Sequence, residues 1–139
     1  GPNAKIISNA LQAVGVPAPI LVNEQDLLYE LVRKAVYILT VNISGLVNNC
    51  TVGDLWMIHE SLAREIAEEV ILIQELLTGQ TLSHEKLING MVEGIEDCPH
   101  RFCLGRSALL RLKRALSYAE NAKLSTPKLT QIALDLERV

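Results

Sequence analysis

Apolar residues recur along this chain at spacings of three and four, the period of helices packed on one side. Ile6, Ile7, Ala10, Leu11 and Val14 predict a short first helix. Gly15-Val16-Pro17-Ala18-Pro19 ends it in an extended link that has the composition of a hinge for an exchanged arm. Asn23 offers a cap to a second helix through Leu27, Leu28, Leu31, Val32, Ala35, Ile38 and Leu39, with Asp26 at its electropositive start. The stretch from Val36 to Val41 is β-branched enough to read as a strand, but unbroken continuation from Leu27 favours helix. Gly45 and Asn48-Asn49 are expected to end it.

The strongest pattern opens at Thr51 or Asp54 and runs to Leu77, before Gly79. On a helical wheel Leu55, Ile58, Leu62, Ile66, Val70, Ile73 and Leu77 share one side, and Glu60, Arg64, Glu68 and Glu75 the other. Ser83 caps the next helix, through Leu87, Ile88, Met91, Val92 and Ile95, which stops before Pro99. A basic helix is expected from Leu104 to Ala122. Ser125-Thr126-Pro127 then starts a last one, with a capping hydroxyl and a proline in the first turn. The fold expected is all-α, a single compact bundle of five to seven helices with orthogonal or mixed packing.

The 139 residues fit one domain, and 49% of them are apolar with only 4% aromatic, so aliphatic side chains must fill the core. Gly1-Pro2 reads as the remnant of a cleaved tag. Residues 3–139 read as one domain, and the helical pattern of Leu134, Leu136 and Val139 at its end suggests an excerpt of something longer. The charge-free run from Ala35 to Gly53 carries too many polar groups (Thr40, Asn42, Ser44, Asn48 and Asn49 among them) to span a membrane. The two sequons, at Asn42 and Asn49, are weak evidence for secretion, since about one is expected by chance. Three cysteines, an odd number, fit free thiols in an intracellular, cytoplasmic setting better than a disulfide framework.

Charge changes the picture most. Residues 1–100 hold 5 Lys/Arg against 13 Asp/Glu, and residues 101–139 hold 8 against 3, so the net −3 hides a basic C-terminal segment on an acidic body. On the basic helix Leu109, Leu112, Ala115, Leu116 and Ala119 form the side expected to be buried. Arg106, Arg111, Lys113 and Arg114 share the opposite arc, with Leu110 and Tyr118 among them. Cations mixed with an aromatic and an aliphatic suit an acidic protein segment, another copy of the chain, or single-stranded nucleic acid. A solvated face that balances the acidic body accounts for the same residues.

Other chemistry is sparser. Cys98, His100 and Cys103 have zinc-ligand identities but lack the rest of a four-ligand set. Cys103, beside Arg101 and Arg106 near a helix start, is placed for a lowered thiol pKa, while Pro99 and Phe102 suggest a turn and an anchor. Glu65, Glu68 and Glu69 precede a second set, Glu93, Glu96 and Asp97. Glu-x-x-Glu pairs on neighbouring helices hold magnesium in all-α nucleotide pyrophosphatases of the MazG type. The likeness is in spacing alone, because the second pair stands directly before Cys98-Pro99, where those enzymes continue the helix. His59 lies mid-arc as a core histidine would, and Trp56 on the edge of the arc as a core or interface anchor. No phosphate loop, nucleophile elbow or catalytic triad is legible, and no cofactor is implied. The expectation is a noncatalytic interaction or oligomerisation domain. RNA binding through the same face is the alternative, and a magnesium-dependent nucleotide hydrolase the third reading.

Overall fold

The computed structural model describes residues 23–138; the first expected helix and the Gly15–Pro19 link lie outside them. The chain groups into two units, Gly1–Val32 and Arg33–Val139. The described part of the first is the opening of helix α1 (Glu24–Val47), capped by Asn23, whose Oδ1 accepts the N–H of Gln25 at 2.8 Å and of Asp26 at 3.4 Å. All six helices among the described residues pack as an all-α bundle with no strand, as the periodicity predicts. No helix among them is long and apolar enough to cross a membrane.

The β-branched stretch of α1 is helical because Val36, Thr40, Ile43 and Ser44 fall on one buried face at helical spacing. Gly45 does not end this helix. It lies inside it, where a Cβ would stand 2.6 Å from the backbone nitrogen of Leu104, so the glycine serves close packing against the loop before α5. Asn42 ties the same loop down, donating from Nδ2 to the Cys103 carbonyl at 3.0 Å.

Thr51 caps α2 (Val52–Ile58), accepting the Asp54 N–H at 3.2 Å. The single long helix expected here is two helices. His59, at φ −120° and ψ 38°, turns the chain into α3 (Glu60–Thr78), which ends at Gly79 with φ 70°. The start of α2 is held by the loop after α4: the Val52 N–H donates to the Arg101 carbonyl at 2.8 Å and the Gly53 N–H to the Pro99 carbonyl at 3.0 Å. The helical dihedrals break at His59 before α3 begins. Ile58, placed by the wheel on the apolar arc, is therefore exposed, as is Leu77 near the end of α3.

Ser83 caps α4 (His84–Asp97) through the Lys86 N–H at 3.3 Å, and α5 (Ala108–Asn121) follows. It begins later than Leu104, because residues 104–105 lie against α1. Leu112, Ala115 and Ala119 are buried as expected, whereas Leu109 is 46% exposed. The last helix, α6, spans Pro127–Glu137. The Thr126 hydroxyl makes no cap bond; the carboxylate of Glu69 takes that place, accepting the N–H of Lys128 at 2.8 Å and of Leu129 at 2.9 Å. Helix α3 thus sits at the centre, packed against α2, α4, α5 and α6.

Candidate functional site

Three helices of the second unit enclose a groove of about 450 Å³. Helix α3 supplies Val70 and Ile73, both buried, with Gln74 and Leu77 further along. Helix α1 adds Ala35, Ile38 and Leu39. Helix α5 contributes Ala115 at the base and Leu110, Arg111, Arg114 and Tyr118 above it, with Ser107 before its first turn. The walls are thus aliphatic and the cations come from α5 alone. Leu77, Leu110 and Tyr118 are 51%, 50% and 45% exposed, so large apolar side chains meet water along the groove. Arg111 is half-buried and Arg114 exposed, and neither has a carboxylate partner among the described residues. Long arginine stems can cover apolar surface while their guanidinium groups stay hydrated and ready to take a carboxylate bidentately.

The structure divides the basic face. Leu110, Arg111, Arg114 and Tyr118 come together in the groove. Arg106 precedes α5 and is exposed, and Lys113 lines a separate shallow cleft with Leu109, Leu116 and Leu136. The α1 and α3 walls escape a sequence reading that assigns those residues to the core, because apolar periodicity marks a packed face without saying which neighbour leaves part of it open.

The carboxylates of α3 are separately engaged. Glu69 caps α6, and Glu65 lies 3.6 Å from the Lys128 ammonium. Glu68 Oε2 lies 2.5 Å from His84 Nδ1, and Glu75 Oε1 3.0 Å from His84 Nε2. Desolvation opposes the imidazolium, but both carboxylates favour it, and the His84 pKa ends above its ordinary value. The Leu82 N–H, donating to Glu75 at 2.8 Å, leads the causes that hold the Glu75 carboxyl below its usual range, with His84 adding to it. No group of three or more His, Cys, Asp or Glu is placed to hold a metal ion among the described residues.

The loop of Cys98, His100 and Cys103 sends these side chains apart. The Cys98 thiol meets the Arg101 guanidinium, His100 is exposed, and the buried Cys103 meets Cys50. Burial first, then the adjoining Cys50, pushes the Cys103 thiol up to about 12, the reverse of the activation expected from Arg101 and Arg106. Phe102 is 70% exposed and anchors nothing in the core. His59 is half-buried at the α2–α3 bend, and Trp56 carries the Arg64 guanidinium 4.9 Å above its ring. No protein-family model matches this chain, and no curated protein or solved structure proves similar to it.

Proposed function

We propose that this chain is a noncatalytic protein-interaction domain whose groove receives an amphipathic, acidic helical segment of a partner protein. The supporting observation is the meeting of Arg111 and Arg114, which have no carboxylate partner among the described residues, with exposed Leu77, Leu110 and Tyr118 around an aliphatic floor. A helix laid in such a groove buries leucine-like side chains at i, i+3, i+4 and i+7 while its carboxylates reach the guanidinium groups. Each buried aliphatic contributes about 1.5–3 kcal/mol, and the charges add on-rate and register. Single-stranded RNA would find the cations and one aromatic. It has less use for the aliphatic walls, which is why the peptide reading is preferred.

The test is fluorescence anisotropy with a labelled helical peptide bearing leucines on one face and glutamates on the other. The wild-type chain should bind it, and Arg111→Glu with Arg114→Glu should weaken binding at least tenfold. Equal affinity of the two proteins, or preference for oligouridine over the peptide, sinks the proposal. Dimerisation abolished by the same pair of substitutions, with no peptide bound, would name a second copy as the occupant instead.

A further inference from the structure

Cys50 and Cys103 are 53 positions apart in sequence yet directly opposite each other in space. Thr51 and Phe102 form an antiparallel bridge, flanked by the Cys103 N–H donating to the Cys50 carbonyl at 2.8 Å and the Val52 N–H to the Arg101 carbonyl at 2.8 Å. In that register the residue before Thr51 faces the residue after Phe102 at a hydrogen-bonded position of the ladder, where the Cys103 N–H bonds the Cys50 carbonyl and the Cys103 carbonyl accepts instead from Asn42. Such a pair has its Cα atoms about 5.5 Å apart and both side chains on one face of the ladder. The spacing lies inside the roughly 4.4–6.8 Å that a disulfide spans. The two thiols do adjoin each other, Cys103 buried and Cys50 partly exposed. The backbone is fixed on both sides, by the Thr51 cap of α2 and by the Asn42 bond to the Cys103 carbonyl.

We propose that Cys50 and Cys103 form a thiol–disulfide exchange site, which closes to an intramolecular disulfide on meeting a small disulfide such as oxidised glutathione. The exposed partner reacts first: the Cys50 thiolate attacks one glutathione sulfur, its S–S bond breaks, and one glutathione thiolate leaves. Cys103 then loses its proton to solvent and attacks the Cys50 sulfur of the mixed disulfide, expelling the second glutathione. Two electrons pass from the cysteine sulfurs to the oxidant, and two molecules of glutathione are formed. Burial makes the Cys103 thiolate scarce, so the second step is slow and speeds up with pH. Capping Cys50 removes the neighbouring charge that adds to this, and the enforced proximity favours closure over release. Cys98, held by Arg101, stays outside the pair.

The experiment treats the folded, reduced chain with oxidised glutathione, blocks residual thiols by alkylation and maps tryptic peptides. Cleavage after Lys34, Arg64, Lys86, Arg101 and Arg106 puts Cys50 in peptide 35–64, Cys103 in 102–106 and Cys98 in 87–101. The expected product is 35–64 joined to 102–106, two hydrogens lighter than the reduced pair, with 87–101 alkylated. Cys98→Ser should close at the wild-type rate within about twofold, and Cys103→Ser should stop at the glutathione adduct on Cys50. A lasting adduct in the wild-type chain, a link through Cys98, or three unaltered thiols would each overturn the proposal. Because the wild type and Cys98→Ser decide the matter alone, the test survives a Cys103→Ser variant that does not fold.

Discussion

The carboxylate of Glu69 caps a helix 60 positions away, its Oε1 accepting the Leu129 N–H at 2.9 Å. With Oε2 on the Lys128 N–H at 2.8 Å, a side chain of the central helix satisfies two orphan donors at the start of α6. Glu69 is 9% exposed, so it is a buried carboxylate with its hydrogen bonds met by backbone and by the positive end of a helix dipole. Removing it leaves a buried donor at Leu129 and a part-buried one at Lys128 unpaired. Glu69→Ala should destabilise the chain by about 2–3 kcal/mol and Glu69→Gln by less, since an amide retains one acceptor. Urea unfolding followed by circular dichroism measures both; a loss below about 0.5 kcal/mol for the alanine contradicts the capping role.

The His84 clasp sets a pH dependence. A folded pKa above the ordinary 6.5 means that stability from His84 is fully present below about 6.5 and fades as pH rises through the higher folded value. Glu75, held below its ordinary 4.5, works the other way: its contribution is present above that value and disappears as pH falls through the folded one. The two together favour a stability maximum between them. His84→Ala should flatten the alkaline limb of a plot of urea midpoint against pH, while leaving a protein that still loses stability in acid. An unchanged alkaline limb in the variant refutes the clasp.

Two hydroxyls on the buried face of α1, those of Thr40 and Ser44, have no hydrogen-bond partner among the described residues. Thr40→Val keeps the shape and removes an unpaired polar group, so it should raise stability by about 1 kcal/mol. Thermal unfolding reads this as a higher midpoint, and a lower one shows that the hydroxyl is bonded.

The glycines make a prediction opposite to helix propensity. Alanine is ordinarily favoured over glycine inside a helix by about 1 kcal/mol. At Gly45 the new Cβ would meet the Leu104 backbone at 2.6 Å and 2.9 Å, so Gly45→Ala should destabilise by more than ~2 kcal/mol. Gly79→Ala meets nothing but must hold φ 70°, and should cost only about 1 kcal/mol. Equal losses, or a gain at Gly45, would contradict the packing described.

What the sequence reveals, and what it hides, follows from the range of each interaction. Asn23, Thr51 and Ser83 act on backbone two or three residues ahead, and Gly79 on its own dihedral angles, so all four are legible as caps. The Glu69 cap is not, because its partners are 59 and 60 positions away and glutamate in a helix resembles any solvated carboxylate. Gly45 likewise looks like a terminator until Leu104 is found against it. The break at His59 has no proline or glycine to announce it. The groove was half legible. A wheel finds Leu110, Arg111, Arg114 and Tyr118 from α5 alone, but their pairing with Ile38 and Leu77 depends on how three helices meet.

The most direct test of the groove is to titrate the isotope-labelled chain with the leucine–glutamate peptide and map the amide shifts. Shifts are expected on residues 35–39 of α1, 70–77 of α3, and Ser107 with 108–118 of α5, and none when Arg111 and Arg114 are both glutamate. Shifts centred instead on the Leu109, Leu116 and Leu136 cleft, or no shift at saturating peptide, would contradict the proposal.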